Sequence, residues 1–285
     1  MNDFIYENNK GEKINLCKWP YKLNVEPMFD YEWDYTKRDY RRGDIIAGFT
    51  KKIQTKSLVL HIASPNVDVR NLAIDNLNSA IEADIYEGTP GKIWLGDWFT
   101  YGYITAAKNE NWQYGVPIIK KTITLAREQS SWYRQILKKS YEANLIIIEP
   151  EEWDKTYADM HDFQYDYMTD FDTRVELVNP DALPSNFILK IIGPAERPEI
   201  TIGKNVIQFN YDVQDGCELV VDATKKTTIV YQPDGTQINV FGARNADYYI
   251  FERMPSGINT VEWDGSFSWE ITLIEERSEP RWLTV

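Results

Sequence analysis

The chain is poor in the side chains that most often hold metals or act as nucleophiles. Its 285 residues include only two cysteines, Cys17 and Cys217, and two histidines, His61 and His161. A disulfide framework needs more cysteines than this, so the two are expected to be buried or half-buried free thiols that pack as small hydrophobes. A zinc site would have to gather ligands from distant parts of the chain, and none is expected. His61 alternates within a strand pattern and is expected to be packed or solvent-facing there. Positive charge is also scarce. Thirty-one Lys and Arg face 44 Asp and Glu, a net charge of −13. Nucleic-acid binders neutralise phosphates with clustered cations, and anionic lipid attracts basic segments, so this balance argues against both partners. No apolar run reaches the length of a membrane span. The opening Met1-Asn2-Asp3-Phe4 lacks a signal-peptide layout, so assembly in the cytoplasm and no membrane partner are expected. There is no G-x-S-x-G, Walker loop or dinucleotide glycine pattern. Gly242-Ala-Arg-Asn245 and Gly193-Pro-Ala-Glu196 are glycine turns without the spacing of a phosphate cradle.

What the chain does have is aromatic surface: 14% Phe, Trp and Tyr, with 10 Trp and 18 Tyr, in a sequence that is 43% hydrophobic. That is enough to build packed cores, which excludes disorder for most of the length. Large amphipathic rings also suit interfaces. The length fits one large domain or two ordinary ones.

Three stretches differ in character. Residues 1–141 mix strands with one helix. In Lys56–Ala63, Leu58, Leu60 and Ile62 alternate on one face, as in a half-buried strand. Ser64-Pro65 has the form of a cap followed by a proline at the first helical position. Val69, Leu72, Ala73, Ala80 and Ile81 then recur at helical spacing, and Glu87-Gly88 followed by Pro90-Gly91 ends that helix. Gly96-Asp97, between the apolar runs Lys92–Leu95 and Trp98–Tyr101, predicts a hairpin. A further strand is expected from Ile118 to Leu125.

Residues 142–184 form an acidic, aromatic connector. Between Glu149 and Asp181 eleven acidic residues stand against Lys155 and Arg174, interleaved with Trp153, Tyr157, Phe163, Tyr165, Tyr167 and Phe171. Two readings stay open: an ordered connector packed on its own chain, or a segment that meets a partner. From 185 to 285 the alternation becomes regular. Phe187, Leu189 and Ile191 share a face, as do Ile207, Phe209, Tyr211 and Val213, and again Trp269, Ile271 and Leu273. Gly203, Gly216, Gly235, Gly257 and Gly265 mark turns between these runs. Short alternating strands, each burying one face, predict two antiparallel sheets stacked as a β sandwich.

No catalytic constellation emerges. Glu262 and Asp264 would lie about 7 Å apart on one strand face, inside the ~5–9.5 Å that glycosidases use. Trp263 alternates between them and is expected to face the core, which leaves both acids in solvent. Glu151 with Glu152 is an equally incidental pair in so acidic a chain. Lys37-Arg38 and Arg41-Arg42, interleaved with Tyr35 and Tyr40, form the one basic cluster. One small cluster releases few counterions, so a solvated or inter-subunit face is favoured over a nucleic-acid site.

Several of these stretches resemble distal tail proteins of long-tailed, non-contractile bacteriophages of Gram-positive hosts. They are Glu82–Asp97, Phe187–Ala195, Asn239–Arg244, Ile250–Gly257 and Glu275–Trp282, in the family's order across most of the chain. The resemblance implies a mainly β protein: an N-terminal β-rich belt domain with one α-helix, and a C-terminal galectin-like antiparallel β sandwich. It implies a structural virion protein of the phage tail tip, assembled in the host cytoplasm, and not an enzyme. It has no catalytic, cofactor or metal residues and no cofactor. The implied partners are further copies of itself in a hexameric ring, the tail tube protein, the tail-tip hub protein and receptor-binding proteins, with DNA passing through the lumen unbound. Some relatives carry an inserted carbohydrate-binding domain, for which this length leaves no room. Ring closure needs two different complementary faces on each copy, for which the Lys37–Arg42 cluster and the acidic stretch are candidates. The competing readings are a carbohydrate-binding module engaging host cell-wall saccharide and a cell-wall hydrolase.

Overall fold

A computed structural model describes residues 3–41, 43–110, 117–128, 130–143 and 175–281. Among them the protein is mainly β, with antiparallel sheets and a single α-helix, the class expected from sequence. The chain forms two compact units, Met1–Gln135 with Glu276–Val285, and Ile136–Glu275.

In the first unit, β1 (Phe4–Glu7), β2 (Lys13–Asn15), β3 (Tyr21–Leu23), β6 (Gln54–Ala63), β7 (Gly91–Leu95), β8 (Trp98–Glu110) and β9 (Ile118–Arg127) pair in the order β2-β1-β7-β8-β9-β6-β3. The start of β10 (Trp132–Tyr141) also pairs with β8, Tyr133 opposite Phe99. Leu58, Leu60 and Ile62 on β6 are all but fully buried, as their alternation predicts. They pack with Ile104 and with the inner face of helix α1 (Val67–Glu87), namely Ala73, Leu77, Ala80 and Ile81. Gly96, at a φ of 58°, closes the β7–β8 hairpin where Gly96-Asp97 predicts it.

The start of α1 differs from expectation. The cap is Asn66, whose Oδ1 accepts from the Asp68 amide at 2.8 Å, while the Ser64 hydroxyl accepts one turn earlier, from the Asn66 amide. An asparagine cap satisfies the first free amide as well as serine does, so the helix starts two residues later. Leu72 points outward, 60% exposed, because the inner stripe runs through Ala73 instead. At the other end Gly88 adopts the left-handed conformation (φ 62°), as the Glu87-Gly88 reading requires.

In the second unit, β12 (Asn186–Ile192), β15 (Glu218–Asp222), β16 (Thr227–Tyr231), β17 (Gln237–Asn239) and β19 (Ser268–Arg277) pair in the order β17-β16-β15-β12-β19. A second sheet has the order β11-β18-β13-β14, from β11 (Val175–Asn179), β13 (Glu199–Ile202), β14 (Asn205–Gln208) and β18 (Gly257–Glu262). Both sheets contribute to one core, Leu189, Ile191, Leu219 and Ile271 from the first meeting Leu177, Ile200, Ile207 and Val261 from the second. This is the stacked pair that the alternation predicts. All five glycines marking its turns have positive φ, between 61° and 85°, a conformation nearly free of strain only for glycine.

Within 142–184, β11 belongs to the second sheet, paired with β18 along its whole length, and residues 144–174 of that stretch lie outside the described ones. The run from Val206 to Val213 is not one strand. β14 ends at Gln208, because the Phe209 amide still bonds Pro198 O but the Asn210 amide turns to Ala243 O. Burial nonetheless continues through Phe209 and Val213. Cys217 is buried, but Cys17 is exposed rather than half-buried, and both thiols are free.

Candidate interaction surfaces

The basic cluster Lys37-Arg38 belongs to a β ribbon. β4 (Asp34–Tyr40) and β5 (Gly43–Thr50) pair with each other and, among the described residues, with no other strand. Tyr35 lies opposite Phe49, Lys37 opposite Ile46, Arg38 opposite Ile45 and Asp39 opposite Asp44, with a register shift after Thr36. Directly paired residues share a face. One face therefore carries Tyr35, Ile46 and Phe49 together with Lys37, Asp39 and Asp44. The other carries Arg38, Tyr40 and Ile45, with glycines at 43 and 48 on either side of Ile45, and one acid at its far end, Asp34, which is paired with Lys52 at 2.9 Å. Tyr40 is 68% exposed, Ile46 56% and Phe49 59%. An isolated two-stranded ribbon is marginal in water, and contiguous exposed apolar side chains mark contact sites. Lys37 sits 5.7 Å from the Tyr35 ring, and among the described residues Lys37, Arg38 and Arg41 form no ion pair. Arg42 lies outside the described residues.

The outer face of α1 is the second surface. Asp68, Leu72, Asp75, Ser79, Glu82 and Tyr86 recur every three or four positions and are all exposed, Tyr86 at 92%. Asp68, Asp75 and Glu82 form no ion pair among the described residues. Beside Tyr86 a cleft of about 500 Å³ opens between the helix and β8, lined by Ile81, Glu82, Ile85, Ile104 and Ala107. The helix is anchored from below by buried Asp84, which accepts from the Tyr6 hydroxyl and, at 2.7 Å, from the Asn9 amide. Burial, and then the bond to Asp84, pushes the Tyr6 phenol well above its usual range.

A third surface lies in the second unit. A cleft of about 600 Å³ is lined by Phe187, Ile202, Lys204, Tyr248, Tyr249 and Met254. Tyr248 and Tyr249 are 43% and 55% exposed, so aromatic faces meet solvent here beside polar groups.

The carboxylates weighed as catalytic are dispersed. Glu262 and Asp264 are exposed on either side of buried Trp263, and Asp264 accepts from the Ser266 amide at 3.0 Å and its hydroxyl at 2.7 Å. Glu151, Glu152 and His161 lie outside the described residues. His61, on β6 opposite Lys22, is half-buried on the face away from the core. Among the described residues no three His, Cys, Asp or Glu gather as a metal site, and no helix is long and apolar enough to cross a membrane. The unusual titratable group is Arg127, which sequence reasoning missed. It is fully buried on β9, its three guanidinium nitrogens have no hydrogen-bond partner among the described residues, and burial lowers its pKa to about 10.

No protein-family model matches the chain, and no curated protein matches it. Solved structures do. The crystal structure of the SPP1 Dit (gp 19.1) protein, described as a paradigm of the hub adsorption apparatus in Gram-positive infecting phages, is 11% identical. It matches over 97% of this chain and 99% of that one, with a TM-score of 0.54. A chain of the phage P2 baseplate in its activated conformation is 10% identical and matches over 98% of this chain. The form with Ca gives a TM-score of 0.58 over 99% of that chain, and the form with Sr 0.59 over 100%. At such identities the likeness is one of fold, and it spans both units. The fold that the sequence resemblance implies is thus shared with phage distal-tail and hub adsorption proteins.

Proposed function

We propose that the protein is a structural component of a phage tail tip. Several copies form a ring that joins the tail tube to the tip hub and carries receptor-binding proteins, and DNA passes through without being bound. The carrying observation is the fold shared end to end with the SPP1 Dit protein and the phage P2 baseplate chain. The exposed ribbon supports the reading, since a ring-forming copy needs apolar surface that its own chain leaves uncovered. A net charge of −13 suits a lumen along which DNA slides. The role is structural rather than catalytic, with the outer module a galectin-like sandwich. Negative-stain imaging of the purified chain, alone and with its tip partner, should show six-fold rings. A strictly monomeric species at high concentration and low salt would overturn the reading.

One observation favours a second reading, a carbohydrate-binding module. Tyr248 and Tyr249 offer exposed rings beside a cleft large enough for a short saccharide, and sugars stack on such faces. A cell-wall glycan array should then give signals that the pair Tyr248→Ala and Tyr249→Ala abolishes. A blank array removes this reading.

A further inference from the structure

We infer that the ribbon of one copy docks on the outer face of helix α1 of the next, its Arg38–Tyr40–Ile45 face seated in the cleft between α1 and β8. This names the contact within the ring proposed above and rests on that reading.

Three observations meet in it. First, the ribbon face is unfinished. Tyr40 and Ile45 are exposed with no sheet over them among the described residues, and Gly43 and Gly48 leave a low floor on which a neighbour can approach closely. Second, the α1 face is unfinished in the complementary way. Leu72, Ile85 and Tyr86 are exposed on a helix that carries five acidic residues and one arginine, beside an open cleft. Third, the charges match across copies and are idle among the described residues of one. There, Arg38 and Arg41 make no ion pair, and neither do Asp75 and Glu82. With a net charge of −13, two copies repel unless cations of one meet acids of the other. The ribbon face that carries Arg38, whose one acid, Asp34, is already paired with Lys52, is where that can happen. The contact is head-to-tail, since each copy offers two different faces, and such contacts close into rings when their rotation closes.

The test uses charge reversal on the full chain, followed by sedimentation velocity and negative-stain imaging. Arg38→Glu with Arg41→Glu should weaken assembly at least about tenfold in the concentration at its midpoint, as should Asp75→Lys with Glu82→Lys. All four sites are exposed, and unchanged circular dichroism and melting temperature verify folding. An equimolar mixture of the two variants restores every contact in an alternating ring, so assembly should return to near wild-type level. Raising salt should weaken the wild type and the mixture alike. If each variant alone forms rings like the wild type, or the mixture fails to rescue them, this contact is wrong while the ring stands. If the wild type itself never assembles, both the contact and the ring reading fall.

Discussion

Two antiparallel strand pairs meet opposite fates. In the second unit β12 and β19 pair over their length, and Leu189, Ile271 and Leu273 are fully buried. In the first, β4 and β5 pair from end to end with one register shift after Thr36, and Tyr35, Ile46 and Phe49 stand more than half exposed. Period-two alternation identifies a strand but says nothing of what lies over its apolar face. In the sandwich the sheet β11-β18-β13-β14 supplies that cover from the same chain. Among the described residues the ribbon has no such layer. One pair therefore contributes to the stability of the fold, and the other leaves apolar side chains exposed.

The comparison can be broken by one substitution at matched positions. Ile271→Ser empties a fully buried site and strands a hydroxyl, so chemical denaturation should show a loss of about 4 kcal/mol. A loss under about 1 kcal/mol would mean that the sandwich core is not where stability lies. A smaller effect, of opposite sign, is expected at Arg127. Its buried guanidinium lacks a partner among the described residues, and replacing an uncompensated buried charge by a hydrophobe of similar volume relieves desolvation. Arg127→Met should raise stability by roughly 1–3 kcal/mol.

Alkaline pH sharpens what burial imposes on Tyr6. In the unfolded chain its phenol ionises near pH 10, whereas in the fold it stays protonated to a higher pH. Above pH 10 the unfolded state then binds fewer protons, so stability falls as pH rises. Tyr21 and Tyr141 are raised by burial in the same direction, while Arg127 and Lys121, both lowered by burial, act against it. Tyr6→Phe should remove about 1 kcal/mol of the fall between pH 10 and 11. Identical slopes in variant and wild type would show that Tyr6 is not held neutral. Last comes Ile46→Ser on the ribbon, which should change the stability of the single copy by less than about 0.5 kcal/mol. A loss of several kcal/mol there would erase the distinction between the two strand pairs.

Much of the second unit is legible residue by residue. The inner faces of β12 and β19 and the five turn glycines follow from period two and from the freedom of glycine at positive φ. The β7–β8 hairpin and the left-handed Gly88 are equally local. The errors occur where neighbours compete. Asn66 outbids Ser64 as helix cap because both can accept an amide and the backbone uses the later one. The strand expected through Val213 stops at Gln208 because the Asn210 amide finds Ala243, far along the chain. Of the interaction surfaces, the Lys37–Arg42 cluster is visible as charge, but not as a ribbon. Gly43 flanked by alternating Tyr and Ile is the signal that could have found it. The outward turn of Leu72 was hidden because helical spacing alone admits either face.

By itself, then, the sequence determines the β-rich class, the single helix, the turns and the sandwich's inner faces. Each depends on interactions within a few residues or on a strict period. Only the tertiary structure decides which apolar faces are covered, because cover comes from strands distant in sequence. The second sheet closes over Ile271, whereas the described structure places nothing over Tyr40 and Ile45. The same long-range packing sets the acidic stripe of α1 outward beside the β8 cleft, with Asp84 held beneath by Tyr6.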